Sequence, residues 1–284
     1  MIINYPVYDD MAILDYLNKY HISKSKIYKL FLEKRVLINN HNSKERDFVK
    51  KGDTISIIYD EDIDYIPSDN TIDALYEDDY FLIVNKRRGI IIHDGKDNNG
   101  SLCNDVAKYY YDNGITMNVR FPNRIDRDTS GIMIFCKDEL TLGYMSYLIE
   151  NHQIEKEYLC FVNGKLKNKK SNLTYRIGRD RHEDRMRVSS TGKDAFTHYE
   201  VLKEYNDYSL VKCNIKTGRT HQIRVHMSYI GNPILGDMLY GGASKYTDNL
   251  LLHSYRVSFI HPVYNEKVEI IAPMPDDMKG LDIK

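Results

Sequence analysis

The sequence predicts an α+β protein in two parts: a small basic module at residues 1–60 and a larger domain at 73–284, joined by an acidic linker at 61–72. Three observations predict it. Short apolar runs of strand length alternate with amphipathic segments of helical spacing. The charge reverses early in the chain: residues 19–51 hold ten Lys/Arg against three Asp/Glu, whereas 60–79 hold nine acids and no Lys or Arg. With 284 residues the chain is long enough for a large domain with a small companion.

Composition narrows the function classes. Hydrophobic residues make up 42%, charged residues 29%, and the formal net charge is −1, so the whole-molecule balance neither demands nor excludes a polyanionic partner. Cys103, Cys136, Cys160 and Cys213 form no C-x-x-C pair, and no histidine spacing such as H-E-x-x-H suggests a metal site. His93, His221, His226 and His253 are read as hydrogen-bonding structural residues. MIINYPVYDDM has no basic segment followed by an apolar one, so no secretory signal is expected. No apolar run approaches about eighteen residues, so no membrane span is expected. A reducing, cytoplasmic setting without a metal site is the expectation. Twenty-four Tyr and no Trp are read as compositional bias.

Taken in order, Ala12–Leu17 has helical spacing, and Ser23 caps a second helix reaching Glu33. Val36–Asn40 reads as a strand entering a turn, and Lys51-Gly52-Asp53 turns the chain into the strand Thr54–Tyr59. Beyond the acidic stretch, Tyr80–Lys86 is a buried strand, Gly89–His93 a second short one, and Ser101–Tyr109 a helix stopped by Gly114. Ile132–Cys136 is a strand, Leu140–Glu150 a helix, and Ile154–Val162 a strand ending at the hairpin signal Asn163-Gly164. Residues 165–193 again carry ten Lys/Arg against three acids. Ser209–Ile215 alternates as a half-buried strand. In Arg219–Gly231, Ile223, Met227 and Ile230 give a helix one apolar stripe, with Thr220 and Arg224 on one flank.

The stretch Asn123-Arg124-Ile125-Asp126-Arg127-Asp128-Thr129-Ser130-Gly131 is unlike the rest. Two acids, two arginines and two hydroxyls run directly into a core strand, and loops on rigid scaffolds commonly carry chemistry. Asp126 is the candidate reactive residue and Asp128 its rival.

These nine residues resemble the His-Arg-Leu-Asp-x-x-Thr-Ser-Gly signature of the RluA-type pseudouridine synthases. Lys156-Glu157-Tyr158 matches that family's Lys-x-Tyr element, and Thr217-Gly218-Arg219-Thr220-His221-Gln222-Ile223-Arg224-Val225-His226 its Thr-Gly-Arg-x-His-Gln-x-Arg-x-His element. Gly192-Lys193-Asp194-Ala195, Gly231–Asp237 and Leu252-His253-Ser254 follow in the family's order. Asn123 stands where the family has His, Ile125 where it has Leu, and Lys86-Arg87-Arg88-Gly89 where Lys-Pro-x-Gly is usual. Residues 1–60 resemble an RNA-binding module named after a small-subunit ribosomal protein.

The resemblance implies a mixed, mostly antiparallel sheet with a central cleft and isomerisation of uridine in structured rRNA or tRNA without a cofactor. It implies Asp126, Tyr158 and Arg224 as catalytic residues. Asp126 would stabilise charge on the sugar, act as a nucleophile or take a proton; Arg224 would partner it, and Tyr158 would lie against the base. RNA contacts fall to Arg124, Arg127 and Arg219 around the motifs and to Lys24, Lys26 and Lys29 of the module. Thr129-Ser130-Gly131 would shape the loop. The competing classes are a non-catalytic RNA-binding or ribosome-assembly factor on the same scaffold and a glycosidase, which needs a second carboxylate.

Overall fold

In a computed structural model of the chain, residues 1–95 and 98–282 are described. The amino-terminal part contains β1 (Ile2–Pro6), β2 (Met11–Ala12), α1 (Ile13–Asn18), α2 (Lys24–Leu32), β3 (Val36–Ile38), β4 (His41–Asn42), β5 (Phe48–Val49) and β6 (Thr54–Ile58). Its main sheet is antiparallel in the order β1-β6-β3-β4. Ser23 caps α2 by accepting from Lys26 N. Asn39 and Asn40 both adopt positive φ between β3 and β4, which suits asparagine in a tight hairpin.

The acidic stretch is strapped to the body that follows. Glu61 takes the Arg120 guanidinium through both carboxylate oxygens, Asp64 accepts from Val119 N at 2.7 Å, and Ser68 donates to Asp105 at 2.6 Å. Its charge is therefore partly spent on internal partners.

The large sheet draws on β7 (Ala74–Glu77), β8 (Phe81–Lys86), β9 (Ser130–Cys136), β10 (Glu155–Asn163), β11 (Lys170–Leu173), then β14 (Thr197–Glu204), β15 (Tyr208–Ile215), β16 (Leu252–Ile260) and β17 (Lys267–Ile271); β12 (Ile177–Arg179) and β13 (Met186–Val188) form a separate ribbon. Strand order is β11-β14-β15-β10-β16-β9-β8-β7, with β17 also on β16. Every pairing is antiparallel except β9 with β16, which meet in parallel at His253↔Ser130 and Ser254↔Gly131. The sheet is thus mixed and mostly antiparallel. Among the described residues four α-helices accompany it: α3 (Leu102–Asp112), α4 (Glu139–Glu150), α5 (Gln222–Tyr229) and α6 (Asp276–Asp282).

Gly131 is required by that parallel contact. Its φ is +105°, and a Cβ there would overlap the Ser254 backbone. Ser130 and Gly131 consequently belong to β9, not to a turn preceding it, and Ser130 Oγ pairs with buried His253 Nδ1 at 2.9 Å.

Three other expectations change. Gly89–His93 is not a strand, because its carbonyls are engaged elsewhere: Ile90 O accepts from Lys86, and Ile91 O and Ile92 O accept from the first turn of α3. Asn163-Gly164 ends β10 without forming a hairpin to the next strand, since β10 pairs with β15 and β16. The helix expected over 219–231 is α5, starting only at Gln222, because His221 lies in the left-handed region at φ +55°; Thr220 therefore stands before the helix and does not share its flank with Arg224.

Candidate active site

Asp126 lies in the loop entering β9. Thr129 N donates to the Asp126 carbonyl at 3.1 Å, closing a turn. The loop is braced from beneath by Lys86, the last residue of β8 and only 1% exposed. Its ammonium donates to the carbonyls of Arg87, Ile90 and Arg127 at 3.0, 2.8 and 2.7 Å, which uses all three of its protons. Burial lowers this lysine to about 8, against the opposing pull of Asp128 and Asp126.

The Arg224 side chain reaches from α5 toward the same loop. Its Nε and Nη2 hold both oxygens of buried Asp237 at 2.8 and 2.9 Å, and its Nη1 lies 3.5 Å from Asp126 Oδ2. Burial acts against the guanidinium, but Asp237 and then Asp126 hold it above its ordinary range. The Tyr240 ring lies beneath it, 5.0 Å from ring centre to Cζ. Tyr240 Oη also meets His221 Nδ1 at 2.9 Å, and His221 Nε2 is 3.9 Å from Asp126 Oδ2. Burial pushes His221 down, with Asp126 opposing, so the imidazole is neutral at neutral pH.

Tyr158 is carried by β10, opposite Cys213 on β15 and Ser254 on β16. The β10/β16 register shifts between Glu157 and Tyr158, and such a bulge re-aims the side chain. Burial pushes the Tyr158 phenol up to about 12, with Ser254 opposing and Asp126 adding to the rise.

Two cavities meet at Asp126, Arg127 and His221. One, of about 720 Å³, is lined by Asn123, Arg124, Lys156, Tyr158 and Arg219; the other, of about 820 Å³, by Arg88, Arg224, Asp237, Met238 and Asn249. The structure therefore brings Tyr158, Arg124 and Arg219 to one of two adjoining cavities and Arg224 to the other, with Asp126 and Arg127 lining both. Arg124 is exposed, Arg127 pairs with Asp128 at 3.2 Å, and Arg219 Nε donates to the Asp194 carbonyl. Lys24, Lys26 and Lys29 lie on α2, outside the cleft lining; Lys26 pairs with Glu139 and Lys29 with Glu33. Asn123 Oδ1 is buried with no hydrogen-bond partner among the described residues.

Sequence reasoning missed three participants. In the sequence Asp237 reads only as part of a motif, His221 as structural, and Lys86 as the end of a buried strand and the start of Lys86-Arg87-Arg88-Gly89. A lysine closing an apolar strand was the available signal for Lys86. Among the described residues no cluster of His, Cys, Asp and Glu is arranged to hold a metal, and no helix is long and apolar enough to cross a membrane.

A family model described as RNA pseudouridylate synthase matches residues 80–229. The uncharacterized RNA pseudouridine synthase YhcT of Bacillus subtilis is 38% identical over 91% of this chain and 88% of its own. The chain belongs to the RNA pseudouridylate synthase family. Ribosomal large subunit pseudouridine synthase D of Xanthomonas campestris is 33% identical over 91% of this chain and 83% of its own. The structure of human RNA pseudouridylate synthase domain containing 1 superposes with a TM-score of 0.61 at 26% identity, over 72% of this chain and 83% of that one. As a pseudouridine synthase, the protein isomerises uridine in RNA. Asp237, buried in the cavity that Asp126 also lines, has both of its oxygens held by Arg224.

Proposed function

We propose that Asp126 is the catalytic carboxylate, acting on uridine in structured RNA of the large ribosomal subunit, and that the protein works as a cytoplasmic monomer with residues 1–60 as an RNA-binding module. The observation that carries the catalytic part is the convergence of three distant segments: Asp126 before β9 lines two adjoining cavities, Arg224 on α5 lines one of them and Tyr158 on β10 the other. The ribosomal substrate is supported by relatives named for the large subunit.

The reaction is an isomerisation in which the bond from the sugar to N1 breaks, the uracil turns, and a bond to C5 forms. A proton leaves C5 and one is gained at N1, so no atom is added. Asp126 meets the positive character that develops at the sugar carbon, as a charge partner or a nucleophile. Arg224, itself clamped by Asp237, fixes the carboxylate's direction. Tyr158, protonated at neutral pH, presents its ring to the base and its hydroxyl as a relay for the C5 proton. Arg124, exposed and lining the cavity with Tyr158, occupies the gap left when the nucleotide leaves its stack.

Tritium release from C5-labelled ribosomal and transfer RNA tests both parts. Wild type is expected to release tritium from large-subunit RNA, and Asp126→Asn to bind that RNA while releasing none. Turnover by Asp126→Asn would assign the chemistry to another acid, and release from transfer RNA alone would overturn the ribosomal substrate.

A further inference from the structure

The amino-terminal module meets the catalytic domain first at α4. Lys26 Nζ lies 2.9 Å from Glu139 Oε1 at the start of α4, and the His21 ring stacks on Tyr147 at 3.5 Å and 6°. Between them is Gly143. A Cβ there would lie 2.5 Å from the Tyr20 carbonyl oxygen and 2.7 Å from Ile22 Cγ2. Glycine weakens a helix interior relative to alanine, and the close approach of the module accounts for its presence. Past Tyr147, Ile149, Glu150 and His152 line the cleft that holds Asp126. The helix is therefore a strut from the module to the cleft wall.

The seam continues behind α4. Tyr5 packs on Tyr20 and Tyr80, both at 5.4 Å between ring centres, Tyr20 contacts Tyr144, Tyr80 donates to the Asn4 carbonyl, and Tyr59 donates to buried Asp138, the N-cap of α4. The buried apolar residues of the module and of β8, β9 and α4 form one continuous core. Contacts of this extent hold the two parts in one orientation.

The outward face of the module carries cations and apolar groups together. Lys24, Tyr28 and Leu32 follow at i, i+4 and i+8 on one side of α2, with Tyr28 59% and Leu32 66% exposed, and Phe48 is 61% exposed. Lys24, Lys34, Lys44, Arg46, Lys50 and Lys51 are exposed and have no ion pair among the described residues. Unpaired cations beside exposed aromatic rings suit the phosphates and bases of RNA.

We infer that the α4 seam holds this face at a fixed offset from Asp126, so that the module grips a second feature of the same RNA molecule and thereby selects which uridine enters the cleft, with Gly143 as a specificity-determining position. The inference rests on the cleft reading above. A module that swung freely would impose no such offset; a docked one makes the RNA present both features at once.

Gly143→Glu forces a charged side chain into the seam, and Gly143→Ala adds a single methyl; both replacements favour the helix itself. Docking is read by small-angle scattering and by protease sensitivity of residues 61–72, and folding by thermal unfolding. Activity is read as tritium release, and as the pattern of modified uridines, on ribosomal RNA and on a short hairpin centred on a uridine that wild type modifies. For Gly143→Glu, an undocked module is expected, with hairpin turnover within about twofold of wild type, ribosomal turnover slower by about tenfold or more, and modification outside the wild-type pattern. Gly143→Ala and Glu139→Lys are expected to shift the same way by less, which keeps the test open if Gly143→Glu fails to fold. An undocked variant with the wild-type rate and pattern on ribosomal RNA would overturn the inference, as would parallel losses on both RNAs. Absence of tritium release by wild type on ribosomal RNA, transfer RNA and the hairpin alike would overturn the catalytic reading, and this inference with it.

Discussion

Asp237 decides whether Arg224 is a surface charge or part of the site. With the Nε and Nη2 edge of the guanidinium held by one buried carboxylate, the remaining Nη1 is turned toward Asp126. Asp237→Asn keeps the shape and removes the charge, so Arg224 is expected to lose its fixed direction; steady-state kinetics should show kcat falling about 10- to 100-fold with KM nearly unchanged. Lys86 adds a pH dependence. Its folded value of about 8 lies below the ordinary 10.5, so between these values the folded chain has released a proton that the unfolded chain retains. Stability from this group therefore rises with pH across that window. Activity is expected to move the opposite way, because a neutral amine has one donor fewer for the loop. An alkaline fall in kcat/KM near pH 8 that moves higher in Lys86→Arg would show it.

At the scale of elements, the join between β9 and β16 binds the two halves of the sheet. Two residues of parallel pairing form it, and it tolerates no side chain at position 131. Gly131→Ala is expected to cost roughly 3 kcal/mol or more in urea unfolding, through the clash with Ser254 and the unfavourable φ. His253 sits in the same join, and burial depresses it to about 4. Above pH 6.5 both folded and unfolded chains hold it neutral; below, the unfolded chain takes a proton that the folded one refuses. Stability is expected to fall by up to about 3 kcal/mol as pH drops from 6.5 to 4. A melting series in which His253→Gln shows the same acid loss as wild type would exclude this histidine as the cause.

For the whole molecule, residues 61–72 act as a strap and the tyrosines as mortar. Arg120 and Glu61 are both largely buried, and removing one partner of a buried pair leaves the other charge uncompensated. Arg120→Ala is expected to cost about 3–5 kcal/mol and to expose residues 61–72 to protease under conditions where wild type resists; unchanged protease resistance would show that the strap is held by other contacts. The second basic run is more than half paired, partly with acids beyond it. In residues 165–193, Lys169, Lys170, Arg176, Arg179, Arg185 and Arg187 each have an acidic partner, so a count along the chain overstated its free charge. The tyrosines read as compositional bias include a packed group at the seam of the two parts.

Much of this was legible in the residues themselves. Alternation and helical spacing are local properties of the chain, which is why α2, α3, α4, β8, β10 and β15 fall where the sequence places them. Ordered motifs carried the family, because their residue types at their spacings are what the reaction requires. Other features were not legible, because they depend on what lies across space. Gly89–His93 reads as a strand until Lys86 and α3 take its carbonyls. His221 reads as structural until Asp126 stands beside it, and a mid-helix glycine reads as a flaw until Tyr20 lies over it. The sequence by itself determined the element types, the family and the candidate residues, since local spacing and side-chain chemistry suffice for those. Only the tertiary structure decided that Asp237 aims Arg224, that Lys86 braces the loop and that the acidic strap and α4 join the two parts, because burial and distance between remote segments exist only once the chain is packed.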